Sequence, residues 1–178
     1  LDIFKLLKNE KINEEVEYFN LAARPDSFDK ELLQIIASAG IDNIDYGIET
    51  GSETTLRLIR REYSNQQVCD TIKNTVNAGI FPKTYWMVGL PGEKNIEPTK
   101  FLIKKTIELG AIPRWITPLI ILPKTELFRN SNLYNIQIRM RTFTDFLKFS
   151  TTKINKKSWY PEIITHTTEY MSVEDILN

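Results

Sequence analysis

Three times along this chain a stretch with helical spacing of apolar residues stops at a glycine and is followed at once by a short apolar run: at Gly40, Gly79 and Gly110. A glycine at that point takes the left-handed backbone that closes a helix. An apolar run of about four to eight residues has the length of a strand. Repeating helix, glycine and strand gives strands that run the same way, because each helix carries the chain back to the end where the previous strand began. The alternation therefore constrains the chain to an α/β fold of mostly parallel strands alternating with helices.

The repeat can be followed along the chain. Residues 29–39 predict a helix whose buried side carries Leu32, Leu33, Ile35, Ile36 and Ala39, with Asp26, Ser27 or Asp29 as its cap. A strand falls within 41–48, and Ser52 is placed to cap a helix reaching to about Arg61. Ser64 and Gln67 have the spacing of a capping box, and the helix they open presents Val68, Ile72 and Val76 on one face with Cys69 beside them. Residues 83–90 and 115–122 read as strands and 96–109 as the helix between them. Ahead of these, 1–14 predicts a short amphipathic helix and 16–23 a strand leading to Arg24. The strands alternate too little for a sheet with one wet face, so both faces are expected to be covered. Beyond Pro123 the regularity fades. Aromatic residues within 141–149 are expected to pack on the sheet assembly, 153–157 to be a solvated basic segment and 172–177 to be a final helical turn or two.

At 178 residues the chain can bury a real core, but it falls short of the roughly 250 residues of a closed (β/α)8 barrel. A partial TIM-like (β/α) barrel is the expected architecture, with residues 1–128 forming it and 129–178 extending from it. The 23 basic residues balance the 23 acidic ones, which gives no strong signal for nucleic acid. No apolar run approaches the roughly 18 residues of a membrane span, so no membrane partner is expected. Cys69 is the only cysteine, which excludes an internal disulfide and suits a reducing, cytoplasmic compartment. One thiolate is too few for an iron–sulfur cluster. Cys69 is expected as a small buried hydrophobe, and the only histidine, His166, as a surface side chain. No metal ligand and no catalytic residue is assigned. The chain starts at Leu1 rather than a methionine and is expected to be a piece of a longer polypeptide.

Chemistry is expected where strands turn into helices. In Gly47-Ile48-Glu49-Thr50-Gly51-Ser52 the glycines admit a close approach to the backbone, Ser52 and the helix start suit a hydroxyl or an anion, and Glu49 suits two vicinal hydroxyls such as those of a ribose. The same residues also read as a turn glycine, a helix cap and a solvated acid. In Gly89-Leu90-Pro91-Gly92-Glu93 the backbone groups at the end of a strand can read the edge of a planar base, or simply form a tight turn. The carboxylates at positions 49 and 93 could converge. Arg24 can hold a carboxylate bidentately or serve as a surface ion-pair partner.

The run VEYFNLAARPD, then GIETGSETTLRLIRR, then NAGI and WMVGLPGE, then LIILPKTELF resembles the later strands of radical S-adenosylmethionine (radical SAM) enzymes, in particular their elongator-like and cobalamin-associated branches. The resemblance spans roughly residues 16–128 and implies the C-terminal portion of a (β/α) barrel. It implies S-adenosylmethionine and a [4Fe–4S] cluster as cofactors of the parent enzyme, with cobalamin as a further candidate, and reductive cleavage of the nucleotide to begin radical chemistry on an unidentified small-molecule or peptide substrate. By the same resemblance Glu49 and Ser52 stand near the ribose or methionyl carboxylate, Val88, Gly89 and Leu90 near adenine, Arg24 at the polar end of the cofactor, and the strand around 120–122 at the adenine or substrate side. The family's CxxxCxxC loop is absent, so the isolated chain is expected to be inactive and its partner to be the upstream part of the same polypeptide. A non-catalytic ligand-binding or scaffold module and an unrelated phosphate-binding barrel fragment are the alternatives. A truncated β/α series also leaves an open sheet edge, through which dimerisation is expected.

Overall fold

The computed structural model describes residues 2–10, 19–140, 142, 144–145 and 164–177. Within them the chain forms two compact units. The first comprises Leu1–Glu53, Glu62–Trp86 and Pro98–Ile116, and the second Thr54–Arg61, Met87–Glu97 and Thr117–Asn178.

The first unit contains most of a four-stranded sheet of order β1-β2-β3-β4. Its strands are β1 (Leu21–Ala23), β2 (Asn43–Glu49), β3 (Phe81–Val88) and β4 (Ile112–Pro118). β2 pairs parallel with both β1 and β3. Helices α1 (Asp2–Asn9), α2 (Lys30–Ser38), α3 (Glu53–Leu58), α4 (Asn65–Asn77) and α5 (Glu97–Glu108) alternate with the strands, the partial parallel β/α arrangement expected. The three glycines that close α2, α4 and α5 adopt φ of 83°, 81° and 98°.

Local chemistry sets the helix starts. The Asp29 side chain accepts from the Leu32 N–H at 2.8 Å and opens α2, which buries Leu33 and Ile36. At α4 the Ser64 Oγ accepts from the Gln67 N–H at 3.2 Å while the Gln67 side chain accepts from the Ser64 N–H at 2.8 Å. This helix buries Val68, Cys69, Thr71, Ile72 and Thr75. Val76, expected on that face, is 39% exposed. Thr75 takes the inward place: its hydroxyl donates to the Thr71 carbonyl at 2.8 Å, leaving its oxygen to accept from the buried Tyr46 hydroxyl at 2.9 Å. Burial raises the Tyr46 pKa to about 12.

The pleats of β2 and β3 do alternate, contrary to expectation. Ile44, Tyr46, Ile48, Thr84 and Trp86 are buried, whereas Asp45, Gly47, Glu49, Lys83, Tyr85 and Met87 are half-buried. The second face is therefore shielded but not dry, which lets polar side chains occupy it. β4 begins at Ile112 rather than 115, and its Ile112, Trp115 and Ile116 are exposed by 48%, 53% and 43%. β1 is seen over three residues only; residues 11–18, which include the start of the predicted strand, lie outside the described ones, as do six of the nine residues of 141–149, its three phenylalanines among them, and all of 153–157.

In the second unit a short antiparallel ladder pairs β5 (Ile136–Ile138) with β6 (His166–Thr168). Two short helices, α6 (Glu126–Arg129) and α7 (Val173–Leu177), a 3-10 helix at Ser131–Tyr134 and all of α3 after Glu53 also belong to this unit. Val88, Ile164, Met171 and Ile176 form a small core, with Ile96 and Val173 against it.

Candidate functional site

The exit of β2 is shaped by its backbone. The β2–β3 register slips between Gly47 and Glu49, and Glu49 adopts φ 68°, a left-handed conformation that costs a non-glycine residue of order 1–3 kcal/mol. Surrounding groups hold it there. The Tyr63 hydroxyl reaches the Gly47 and Ile48 carbonyls at 3.2 and 3.0 Å, and the Thr50 N–H donates to the Ile48 carbonyl at 2.9 Å. The buried Thr50 and Thr99 hydroxyls meet at 3.0 Å, the Gly51 N–H donates to Thr99 Oγ1 at 3.0 Å, and Asn65 Nδ2 donates to the Gly51 carbonyl at 2.8 Å. A Cβ at position 47 would stand 3.0 Å from Glu49 Oε1, so the Glu49 carboxylate lies over the bare face of Gly47. Gly51 answers a different need. A Cβ there would stand 2.2 Å from the Pro98 carbonyl oxygen, so its missing side chain accommodates the start of α5. Ser52 occupies the position just ahead of α3, and its N–H donates to Thr50 Oγ1 at 3.1 Å.

The exit of β3 is a turn clamped by side chains. Gly89 has φ 76°, and Val88, Gly89 and Leu90 are all buried. Glu93 is fully buried, and its Oε2 accepts from the Gly89 N–H at 2.9 Å and the Leu90 N–H at 3.3 Å. The carboxylate at position 93 thus holds its own turn. The Val88 carbonyl accepts from the Leu119 N–H at 2.9 Å and the Leu90 carbonyl from the Glu93 N–H at 3.1 Å. The N–H groups of Gly89 and Leu90 are committed within the turn, so any further bond made there by the backbone uses a second carbonyl lone pair.

His166 corrects the sequence expectation. It is not a surface residue but completely buried in β6. Its Nε2 lies 2.6 Å from the Gly89 carbonyl oxygen and its Nδ1 3.2 Å from Thr165 Oγ1. Burial pulls its pKa below the ordinary value, opposed by the bond to Gly89. Nothing in the histidine's own neighbourhood signals this, since its partner lies 77 residues away in sequence. Cys69 is a buried free thiol, as expected, with its pKa pushed up chiefly by burial. Arg24 serves as a surface ion-pair partner: its guanidinium forks onto the Asp26 carboxylate, with Nε 2.8 Å from Oδ1 and Nη2 in contact with Oδ2.

The half-buried face of the sheet carries a polar cluster that the sequence reading missed. Asp45 Oδ2 accepts from Asn20 Nδ2 at 2.8 Å and from the Tyr85 hydroxyl at 3.0 Å, while Asp45 Oδ1 is buried without a hydrogen-bond partner. Burial raises the Tyr85 pKa, with Asp45 adding to the effect and Arg114 opposing it. Beside this cluster Lys83 Nζ donates to Asn43 Oδ1 at 2.9 Å. Two-residue spacing puts positions 45, 47 and 49 on one face and was the available clue. Arg24, Glu49 and Ser52 belong to the first unit, and Val88, Gly89 and Leu90 to the second. A separate cavity of about 220 Å³ in the second unit, lined in part by Leu58, Arg60, Pro91, Glu126 and Tyr134, contains none of the predicted site residues. Among the described residues no group of three or more His, Cys, Asp or Glu side chains can hold a metal ion, and no helix is long and apolar enough to cross a membrane.

Comparison with known proteins adds an independent observation. A family model described as the Radical SAM superfamily matches residues 1–102. The heme chaperone HemW of Lactococcus lactis subsp. lactis is 28% identical over 97 residues, covering 54% of this chain and 25% of that protein. An uncharacterised protein of Methanocaldococcus jannaschii, MJ0486, is 30% identical over 121 residues, covering 64% of this chain and 36% of its own length. The fold is similar to coproporphyrinogen III oxidase (HemN) from Escherichia coli, a radical SAM enzyme, with a TM-score of 0.57 and 17% identity over 68% of this chain and 29% of that one. It is also similar to the radical S-adenosylmethionine methyltransferase TsrM from Kitasatospora setae with cobalamin and a [4Fe–4S] cluster bound, with a TM-score of 0.62 and 14% identity over 79% and 30% of the two chains. The chain thus spans about a quarter to a third of the length of these proteins.

Proposed function

This chain belongs to the radical SAM superfamily, and from that premise we propose that it supplies one arc of the nucleotide-binding face of a radical SAM barrel. The observation that carries the proposal is the exit of β2, where Glu49 is held in a strained conformation with its carboxylate over Gly47. Strain held in place by surrounding groups marks positions of use. An acceptor-only carboxylate at a strand end suits the two hydroxyls of a ribose. Glu49 and Ser52 would hold the ribose or the methionyl carboxylate, and Val88, Gly89 and Leu90 the adenine. Arg24 would serve the polar end of the nucleotide only by sharing or exchanging Asp26.

The residues present do not fit a cluster. The sequence has one cysteine, and Cys69 is buried in α4 with its thiol held protonated by burial, whereas cluster assembly takes three or four thiolates. No step is therefore assigned through a cluster on this chain, which by itself is inactive in reductive cleavage. In the parent enzyme the cluster would come from another part of the same polypeptide. When bound beside such a cluster, S-adenosylmethionine supplies the radical chemistry; the residues here bind and orient it. The elongator-like and cobalamin-associated branch is our reading of the motif order, supported by the likeness in fold to a cobalamin-bound methyltransferase. In this proposal residues 1–128 are the barrel portion and 129–178 an extension, the cysteine usage suits the cytoplasm, and the substrate is a small molecule or peptide. The exposed apolar residues of the edge strand β4 suit pairing with a further strand or a second copy.

The test is calorimetric titration of the 178-residue chain with S-adenosylhomocysteine and with S-ribosylhomocysteine, which lacks the purine. Both are expected to bind, and Glu49→Gln to weaken both by about tenfold, the effect of losing a charged hydrogen bond. Absence of saturable binding of S-adenosylhomocysteine by the folded chain would refute the proposal. The non-catalytic module, favoured by the cysteine count alone, would then stand.

A further inference from the structure

The nucleotide-binding reading gives His166 no task, although it is the only histidine in the chain and wholly buried. A carbonyl oxygen only accepts, so the 2.6 Å contact with Gly89 requires the proton on Nε2. In the neutral ring Nδ1 then accepts, and its partner at 3.2 Å is the Thr165 hydroxyl. The Thr165 hydroxyl gives its hydrogen to Nδ1 while its oxygen accepts from the Ile121 N–H at 3.0 Å. On the other side of Gly89, its N–H donates to Glu93 at 2.9 Å. One directed series of hydrogen bonds therefore runs from Ile121 through Thr165, His166 and Gly89 to Glu93. The Leu119 N–H, donating to the Val88 carbonyl at 2.9 Å, ties the same two stretches a second time.

This is more than a turn needs. An ordinary tight turn closes on its own backbone, yet both polar groups of Gly89 are gripped by side chains. A glycine at φ 76° has no side chain to fix its peptide plane, and His166 does so from outside. The other end of the strut matters equally. Ile121 is 2% exposed and anchored through Thr165, while its neighbours Ile120 and Leu122 are exposed by 38% and 52%. Anchoring the residue between them sets the direction in which these two apolar side chains face solvent.

We propose that His166, acting with Thr165, is a positioning residue that locks the buried 88–90 turn to the 119–122 segment, so that the exposed Ile120 and Leu122 are set to receive the purine of the bound nucleotide. The inference deepens the nucleotide-binding reading and rests on it. His166 serves the base without touching it.

The experiment uses the full 178-residue chain with the same two ligands and adds the imidazole ¹⁵N signals, which in a chain with one histidine belong to His166 alone. The free chain is expected to show the neutral ring protonated at Nε2, with signals that shift on adding S-adenosylhomocysteine and not on adding S-ribosylhomocysteine. His166→Leu is expected to weaken S-adenosylhomocysteine by about three- to tenfold, the effect of one hydrogen bond, and to leave S-ribosylhomocysteine unchanged. His166→Gln, which keeps an N–H donor, should recover part of the loss. Equal loss for both ligands, or no loss for either in a folded variant, overturns the inference while the Glu49 result leaves the nucleotide-binding reading intact. If His166→Leu does not fold, the wild-type signals decide: a ring unmoved by S-adenosylhomocysteine that nevertheless binds overturns the inference. A wild-type chain that binds neither ligand overturns both readings.

Discussion

Gly51 and Gly79 are alike in sequence, each following a helical or strand run, and differ sharply in what surrounds them. A Cβ at Gly51 would lie 2.2 Å from the Pro98 carbonyl oxygen and 2.9 Å from the Thr99 Cα, both backbone atoms of the helix packed against it. A Cβ at Gly79 would meet nothing within 4 Å, and only its φ of 81° resists substitution. Gly51→Ala must displace α5 and is expected to destabilise by about 3 kcal/mol or more. Gly79→Ala carries only the left-handed penalty of about 1 kcal/mol. Urea unfolding of the two variants checks this, and equal losses would mean that the turn and α5 are not in fact in contact. In the sequence Gly51 reads equally as an opening for a ligand, because a glycine that admits a helix and one that admits a ligand look the same there. Glu49 is the converse. Nothing in GIETGS announces that the acid rather than a glycine takes the left-handed position, yet that strain singles it out.

At the scale of elements, legibility followed local chemistry. α4 was readable from its capping box and its closing glycine because both signals lie within the helix itself. Ser64→Ala removes the acceptor for the Gln67 N–H and is expected to cost about 1 kcal/mol. Amide exchange at residues 65–68 should rise before the rest of α4 responds, and uniform protection in the variant would show that tertiary packing alone sets this end. α3 ends earlier than expected for want of any such signal. Arg60 adopts φ 58° and the Arg61 N–H bonds back to the Leu56 carbonyl at 2.8 Å, so an arginine does what the sequence reading looks for a glycine to do. β4 begins earlier than expected because Pro113 disguises it. A proline has no N–H for a ladder, which an edge strand tolerates, and in the order β1-β2-β3-β4 this strand is at the edge. Most of the architecture was thus legible. The clamp on Gly89 was not, because it is assembled from residues 77 apart in sequence.

The consequence for the molecule as a whole is a stability that depends on one imidazole. His166 is neutral in the folded protein and its pKa lies below the ordinary 6.5, first because burial disfavours the charged ring, with the Gly89 bond opposing. The unfolded chain therefore binds more protons than the folded one between the two values, and stability must fall as pH falls. The contribution is complete above about 6.5 and is lost as pH drops through the folded value, with a slope of at most about 1.4 kcal/mol per pH unit for one proton. The groups around the ring sharpen the effect. Its Nε2 faces a carbonyl that accepts a proton-bearing nitrogen in either state, so the change falls on Nδ1. Protonating Nδ1 turns it from acceptor to donor, and the Thr165 hydroxyl must then direct its own hydrogen to the Leu119 carbonyl at 3.5 Å, a much longer contact. Glu93, the carboxylate on the far side of Gly89, is engaged with the Gly89 and Leu90 N–H groups. Urea midpoints measured at pH 7.5, 6.5 and 5.5 should decline for the wild type and stay nearly level for His166→Gln, which has no imidazole to titrate. Parallel declines in the two proteins would assign the acid sensitivity to carboxylates instead, and would mean that the buried histidine accepts its proton without disturbing the strut.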